Sequence, residues 1–271
     1  MLETSDKMVK DAYIRMPMNS DNHNWSKRTN IEVDYIISKC NLNYDDKILD
    51  IGCGMGRHSL ELSRKGFNNV LGVDYAKELI NTAIKIAKEE NLTARFKTQD
   101  ILNTEILENY YDCVLCLYDV IGSYVDDKNQ KLLTKISNSL KKGGKAIISV
   151  MNLTSTEYNA QRKFTLKDSS KELLELPSNN IMEKSGNVFD PNFYLIDTET
   201  KITYRKETFT NGNKHPIELI IRDKRFYMDE IVTMCEKENL KIIEKRFVNA
   251  GWQKDIEEKV AKEILLLCEK I

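Results

Sequence analysis

Residues 48–59 read Ile-Leu-Asp-Ile-Gly-Cys-Gly-Met-Gly-Arg-His-Ser, and this stretch decides the fold. Ile48 to Ile51 make a short, nearly continuous apolar run, the pattern of a parallel strand buried on both faces. Gly52, Gly54 and Gly56 follow directly, and a helix is expected from about Arg57 to Lys65. Glycines at a strand-to-helix turn reach positive φ and let the backbone approach a ligand closely. In a doubly wound sheet, the crevice beyond the carboxyl ends of the strands is the place where ligands bind.

Working outward, the same alternation repeats. Upstream, Val33, Ile36, Ile37 and Cys40 fall on one helix face. Downstream, Asn69 to Asp74 reads as a second strand, and Leu79, Ile80, Ala83, Ile84 and Ala87 as a helix face. Ala94 to Asp100 is a weaker third strand and Tyr111 to Tyr118 a fourth. Leu132, Leu133, Ile136 and Leu140 mark a further helix, for which Gly143 and Gly144 are expected to act as C-cap residues. Lys145 to Asn152 is a fifth strand. Strands and helices alternating at this spacing predict βαβ units and a parallel sheet covered on both faces.

After Asn152 the rhythm changes, and the stretch to Tyr227 is too long for a plain loop. Its second half reads as strands separated by Thr198-Glu199-Thr200 and by Asn211-Gly212-Asn213, both turn chemistries. The expectation is an antiparallel meander inserted after strand 5. The chain thus divides into an N-terminal cap segment over residues 1–30, a core of residues 31–152 and 228–271, and an inserted lid over 153–227. Ile231, Val232 and Cys235 mark a helix. Lys241 to Val248 and Lys262 to Ile271 are expected to close the sheet as an antiparallel hairpin, with a short helix leading into the final strand.

Composition removes several function classes. The 41 basic and 42 acidic residues leave a net charge of −1, without the basic excess of a general nucleic-acid binder, so no nucleic-acid partner is expected. No apolar run approaches the ~18 residues of a membrane span. The opening residues mix acids with lysines and read as no signal peptide. The six cysteines are scattered. Cys113 and Cys116 sit in one strand, where side chains three apart point to opposite faces, so they cannot hold one metal together. His23, His58 and His215 lack zinc spacing, so no metal site is expected. Reduced thiols and a cytoplasmic location are the expectation. The oligomeric state stays open between monomer and dimer.

Three acids carry the chemistry. Asp50 precedes Gly52 by two positions, Asp74 ends the second strand, and Asp100 ends the third. In the dinucleotide fingerprint G-x-G-x-x-G the helix N-terminus holds a pyrophosphate. Here the third glycine comes one residue early, and an acid at position 50 repels a pyrophosphate but suits a cationic ligand. Asp74 is placed to accept hydrogen bonds from the hydroxyls of a ribose.

With these residues the sequence resembles the class I S-adenosylmethionine-dependent methyltransferases from about Asn24 to Asn152, and less clearly from Arg225 onward. The stretch from Gly54 to Asp74 also looks like a bacterial small-molecule subgroup. The resemblance implies a Rossmann-like α/β fold, a seven-stranded mostly parallel sheet in the order 3-2-1-4-5-7-6, with S-adenosyl-L-methionine as cofactor. It implies that Gly52 and Gly54 lie against the methionine part of the cofactor. Asp50 and the Leu117 carbonyl would reach its ammonium. Asp74 would bind the ribose, beside Tyr75, and Asp100 with the Ile101 backbone would meet the adenine. Residues 24–36 are similar to the entry helix of glycine N-methyltransferase-like members, in which Arg28 would pair with the methionine carboxylate. One departure is Lys141-Lys142-Gly143-Gly144, where many members have a proline before the paired glycines.

The acceptor side is read from the residues around the presumed methyl group. Asp119 is expected to orient an acceptor, with Tyr124 and His23 as further catalytic candidates. Tyr13 and Tyr118, together with Tyr194 and Arg222 of the insertion, are candidates for holding the substrate. His58, just past the glycine turn, reads as packing or helix capping. The reaction expected is methyl transfer to nitrogen or oxygen of a small molecule. RNA or protein acceptors, or cofactor binding without catalysis, stay open as alternatives.

Overall fold

The computed structural model describes residues 8, 10–12, 26–125, 127–165, 170–184, 187–210 and 216–271. After helical residues at 10–12 and a 3-10 turn at Ser26–Arg28 come α1 (Thr29–Cys40), β1 (Ile48–Ile51), α2 (Arg57–Arg64), β2 (Val70–Asp74), α3 (Lys77–Glu89), β3 (Arg95–Thr98) and β4 (Tyr111–Cys116). Then come α4 (Lys128–Ser139), β5 (Leu140–Met151) and α5 (Leu153–Asn159). A second set of strands follows: β6 (Lys163–Phe164), β7 (Ser178–Asn179), β8 (Tyr194–Asp197), β9 (Ile202–Phe209) and β10 (Ile217–Lys224). Short helices α6 (Ser170–Glu175) and α7 (Ile181–Lys184) lie among them. The chain returns through α8 (Met228–Lys237), β11 (Leu240–Val248) and β12 (Glu263–Lys270).

The main sheet has seven strands in the order β11-β12-β5-β4-β1-β2-β3. This is the expected 3-2-1-4-5-7-6 order, with β12 antiparallel to both of its neighbours. The central strands pair in parallel, Asp50 standing beside Gly72 on one side and Leu115 on the other. Every residue of β1 is buried, as its unbroken apolar run requires.

The alternation along β4 divides the core in two. Cys113 and Leu115 pack into the cluster with Val33, Ile36 and Leu62 beneath α1 and α2. Val114 and Cys116 pack into the cluster with Leu132, Ile136 and Ile231 beneath α4 and α8. All six cysteines are free thiols.

Two local expectations are corrected. Gly143 and Gly144 do not cap α4, because β5 begins at Leu140 directly after the helix. The glycines sit in an irregular start of β5, where the pairing with β4 jumps from Tyr111↔Leu140 to Cys113↔Lys145. No helix leads into the last strand: residues 258–260 form a turn, and β12 pairs with β5 and β11 along its length. Sheet pairing satisfies every backbone group of that strand, and tertiary pairing overrides the helical periodicity of its residues.

The insertion forms its own sheet in the order β10-β9-β8-β6, with β7 against β9. The hairpins β8–β9 and β9–β10 are antiparallel, but β6 and β7 add in parallel, so the sheet is mixed rather than a plain meander. Thr198 to Thr200 make the turn between β8 and β9, while Asn211-Gly212-Asn213 lies outside the described residues. Asn152 clamps the entry of the insertion to its exit. It bridges to Phe226, its amide donates to the carbonyls of Glu258 and Ala261, and its side-chain oxygen caps α5 through Thr154 N–H.

Candidate active site

The glycine turn leaves the carboxyl end of β1 with Gly52, Gly54 and Gly56 all at positive φ, of 69°, 55° and 75°. A Cβ on Gly52 would stand 2.4 Å from Val120, so a side chain there collides as well as strains the backbone. At Gly54 a Cβ would meet nothing within 4 Å, because that backbone faces open space. Two carboxylates hold the turn. Asp74 accepts the Gly54 and Ala76 N–H groups at 2.9 and 2.8 Å, and Asp50 accepts the Ser59 hydroxyl at 2.7 Å. Burial raises the pKa of both above the ordinary carboxylate value, opposed at Asp74 by its two backbone hydrogen bonds and at Asp50 by His58, Ser59 and Arg57.

The turn opens into a cavity of about 1050 Å³. Asp50, Gly52, Gly54 and Leu117 wall one part; Met151, Val188 and Phe189, from β5 and the insertion, wall another. Between them stands a charged cluster centred on Glu32 of α1, which is fully buried. Its carboxylate accepts from Arg57 at 2.7 Å, His58 Nε2 at 2.9 Å, the Tyr118 hydroxyl at 2.7 Å and Gly251 N–H at 2.8 Å. Burial alone would raise the Glu32 pKa; the hydrogen bond from His58, the charge of Arg57 and the Tyr118 hydroxyl bring it down to about 2. Burial and the Arg57 charge hold the His58 pKa below its ordinary value, with Glu32 and Asp50 opposing. Tyr118 holds its place from a left-handed backbone, φ 64°.

A second group of polar and aromatic side chains lies beyond the ends of β2 and β3, apart from the residues that wall the cavity. Here Lys10 donates to Asp100 at 2.9 Å, with its ammonium 5.1 Å from the centre of the Tyr75 ring and 5.8 Å from that of Tyr124. Burial raises the Asp100 pKa, but Lys10, Leu102 N–H and Asn103 together hold it below the ordinary value. Ile101 is buried in the core beside this acid. Tyr124 thus stands with Tyr75 and Asp100 around the Lys10 ammonium.

Arg28 also differs from its expected place. It is exposed at the N-terminus of α1, where its stem packs beside Gly251, and the arginines on the cavity wall are Arg57 and Arg64. Asp119 lines the cavity as expected, its pKa raised by burial with Arg205 opposing. Tyr194 does not: it is buried, with its hydroxyl on the Thr156 carbonyl at 3.0 Å. Arg222 is exposed on β10, opposite Tyr204. The two insertion arginines that matter locally are buried. Arg205 pairs with Glu207 and Asp223, and Arg225 binds Asp223, Thr156 and the Val188 carbonyl. They brace the insertion beside the cavity. Tyr13 and His23 lie outside the described residues.

Sequence reasoning missed Glu32, Arg57, Trp252 and Glu263, and gave His58 only a packing role. Glu32 at the first turn of an amphipathic helix carries no signal of burial. Its role depends on α2 and residue 251 arriving beside it.

The comparisons agree with this geometry. Residues 48–144 match the family model described as a methyltransferase domain. Over 152 residues the chain is 36% identical to the ubiquinone biosynthesis O-methyltransferase of Rickettsia typhi, covering 50% of this chain and 59% of that protein. Over 209 residues it is 29% identical to the enzyme of the same name from Rickettsia felis, covering 68% of this chain and 84% of that protein. The chain thus spans less than two thirds of the first of these relatives. A crystal structure of an S-adenosylmethionine-dependent methyltransferase from Clostridium acetobutylicum shares the fold, with a TM-score of 0.62 and 19% identity over 90% of this chain and 91% of that one. With its glycine turn, strand order and these likenesses, the chain has the class I S-adenosylmethionine-dependent methyltransferase fold and carries a methyltransferase domain over residues 48–144.

Proposed function

We propose that this chain transfers the methyl group of S-adenosyl-L-methionine to an oxygen atom of a small-molecule acceptor. The observation that carries the reading is the cavity of about 1050 Å³, which runs from the glycine turn to apolar residues of β5 and the insertion. One small ligand typically fills a pocket of about 300–1,000 Å³, so this space suits a cofactor and an acceptor side by side. The open backbone at Gly54 and the cavity-lining acids at 50 and 119 fit a ligand with a cationic, amino-acid-bearing part.

In this reading Asp50 and the Leu117 carbonyl hold the ammonium, Gly52 and Gly54 lie along the methionine part, and Asp74 takes the ribose. Arg57 is the guanidinium nearest the carboxylate, and Asp100 with Tyr75 receives the adenine in the space that Lys10 adjoins. The cofactor supplies a methyl group already activated on a positively charged sulfur. The protein's work is alignment at about 3–3.5 Å and exclusion of water. Met151, Val188 and Phe189 give the acceptor apolar walls, and Asp119 is placed to orient it. Oxygen is preferred to nitrogen because the relatives reported above are O-methyltransferases.

The test is calorimetry with S-adenosylmethionine, followed by transfer of labelled methyl to catechol, to a primary amine and to bulk RNA. Micromolar binding with label in the catechol is expected. Label confined to RNA, or no cofactor binding, would overturn the reading.

A further inference from the structure

Glu263 is the first residue of β12 and pairs with Met151, the last residue of β5. Both line the cavity. The residue is only 4% exposed, and among the described residues neither its Oε2 nor the neighbouring indole Nε1 of Trp252 makes a hydrogen bond of good geometry, although the indole and the Ser149 hydroxyl stand close enough to act on the carboxyl. A buried carboxyl with an unsatisfied oxygen is costly to keep. The sequence offers cheaper residues for a strand at this position, since the following Ile264 to Leu267 are all apolar and all buried.

The surroundings separate two acids. Glu32 on α1 is satisfied by four donors and is ionised. Glu263 faces that charge, with Arg57 on α2 and Ser149 and Trp252 acting against it, and its own field reaches Tyr118. Burial and the Glu32 charge push the Glu263 pKa up to about 8. A pair of acids whose environments drive their pKa values apart marks a division of roles: Glu32 orients and Glu263 exchanges a proton.

We infer that Glu263 is the general base for the acceptor hydroxyl. The inference rests on the oxygen-acceptor reading above. In the step, the acceptor O–H bond breaks and its proton passes to the Glu263 carboxylate. The acceptor oxygen bonds to the methyl carbon, and the electron pair of the broken sulfur–carbon bond stays on sulfur. A neutral alcohol, a cationic sulfonium and a carboxylate become an ether, a neutral thioether and a carboxylic acid, so charge and protons balance. The acid then returns its proton to water. The Arg57 charge is already engaged by Glu32, so Glu263 keeps its basicity. A bound sulfonium, being cationic, moves the ionisation downward.

The experiment compares the parent with Glu263→Gln and Glu263→Asp, using catechol and labelled S-adenosylmethionine between pH 6 and 9.5. For the parent, kcat/KM should rise with a single ionisation at or below about pH 8. Glu263→Gln should be about 100- to 10,000-fold slower and flat with pH, as loss of a general base requires. Its cofactor affinity by calorimetry should stay within about two-fold of the parent. Glu263→Asp, which keeps a base one methylene short, should lie between them. If the carboxyl only fills space, Gln is the better replacement and the order reverses, which would overturn the inference. A second readout needs no turnover. The neutral folded carboxyl favours folding fully below an unfolded pKa of about 4.5, and that advantage is lost as pH rises toward 8. The parent's melting temperature should therefore fall relative to that of Glu263→Gln across this window; parallel curves would count against the inference. Catechol methylation that persists in Glu263→Gln sinks the base alone. A parent that methylates only the amine sinks the oxygen-acceptor reading, and the base with it.

Discussion

Replacing Glu32 by Gln tests the electrostatic centre of the site. The carboxylate is fully buried and accepts four hydrogen bonds, from Arg57, His58, Tyr118 and Gly251 N–H. Moving its pKa from an ordinary 4.5 to about 2 corresponds to about 3 kcal/mol in favour of the folded state at pH 7. An independent route reaches the same range. Removing one partner of a buried ion pair leaves the other charge uncompensated, here Arg57, at a cost of about 3–5 kcal/mol. The amide is isosteric and leaves no cavity, so packing adds little. Its NH₂ group, however, faces donors where the carboxylate offered acceptors. Urea unfolding at pH 7 should therefore show Glu32→Gln less stable by about 3 kcal/mol. The sign of the pH dependence follows from a depressed acid. The stabilisation is complete above the unfolded pKa near 4.5 and is lost as pH falls through about 2. The gap between parent and variant should narrow steadily below pH 4.5. A gap under about 1 kcal/mol at pH 7, or one that does not change with pH, would refute the reasoning.

Three further outcomes are expected. Gly52→Ala should lower stability by at least about 1 kcal/mol and weaken S-adenosylmethionine binding, since the new Cβ meets Val120 at 2.4 Å on a backbone at φ 69°; thermal melts and calorimetry measure both. Asp74→Asn should place an NH₂ group against the Gly54 or Ala76 N–H and cost cofactor affinity by about ten-fold or more, a loss of about 1–3 kcal/mol, read by calorimetry. Arg225→Leu should destabilise by about 3–5 kcal/mol, because it leaves one oxygen of the buried Asp223 and the Val188 carbonyl without their donor in the interior; denaturant midpoints check this.

How far the sequence reached depends on the range of the forces involved. Strand β1, the glycine turn and the acids at 50, 74 and 100 were legible because they rest on local rules: continuous apolar runs, positive φ, and side chains at strand ends. The same rules, with right-handed crossovers, determined the parallel half of the sheet. Where two local rules competed, tertiary pairing chose. The last segment could be helix or strand by periodicity, and the open edge of β5 made it a strand from Glu263 to Lys270. Gly143 and Gly144 could end a helix, and the same edge drew them into β5. The catalytic neighbourhood was least legible. Glu32, His58, Tyr118, Trp252 and Glu263 come from five separate stretches, and each is ordinary in its own. Only packing α1, α2 and the two closing strands around one cavity buries two carboxyls together, satisfies one and leaves the other proton-hungry. Burial and the charge of distant neighbours set those properties, and neither is a property of local sequence.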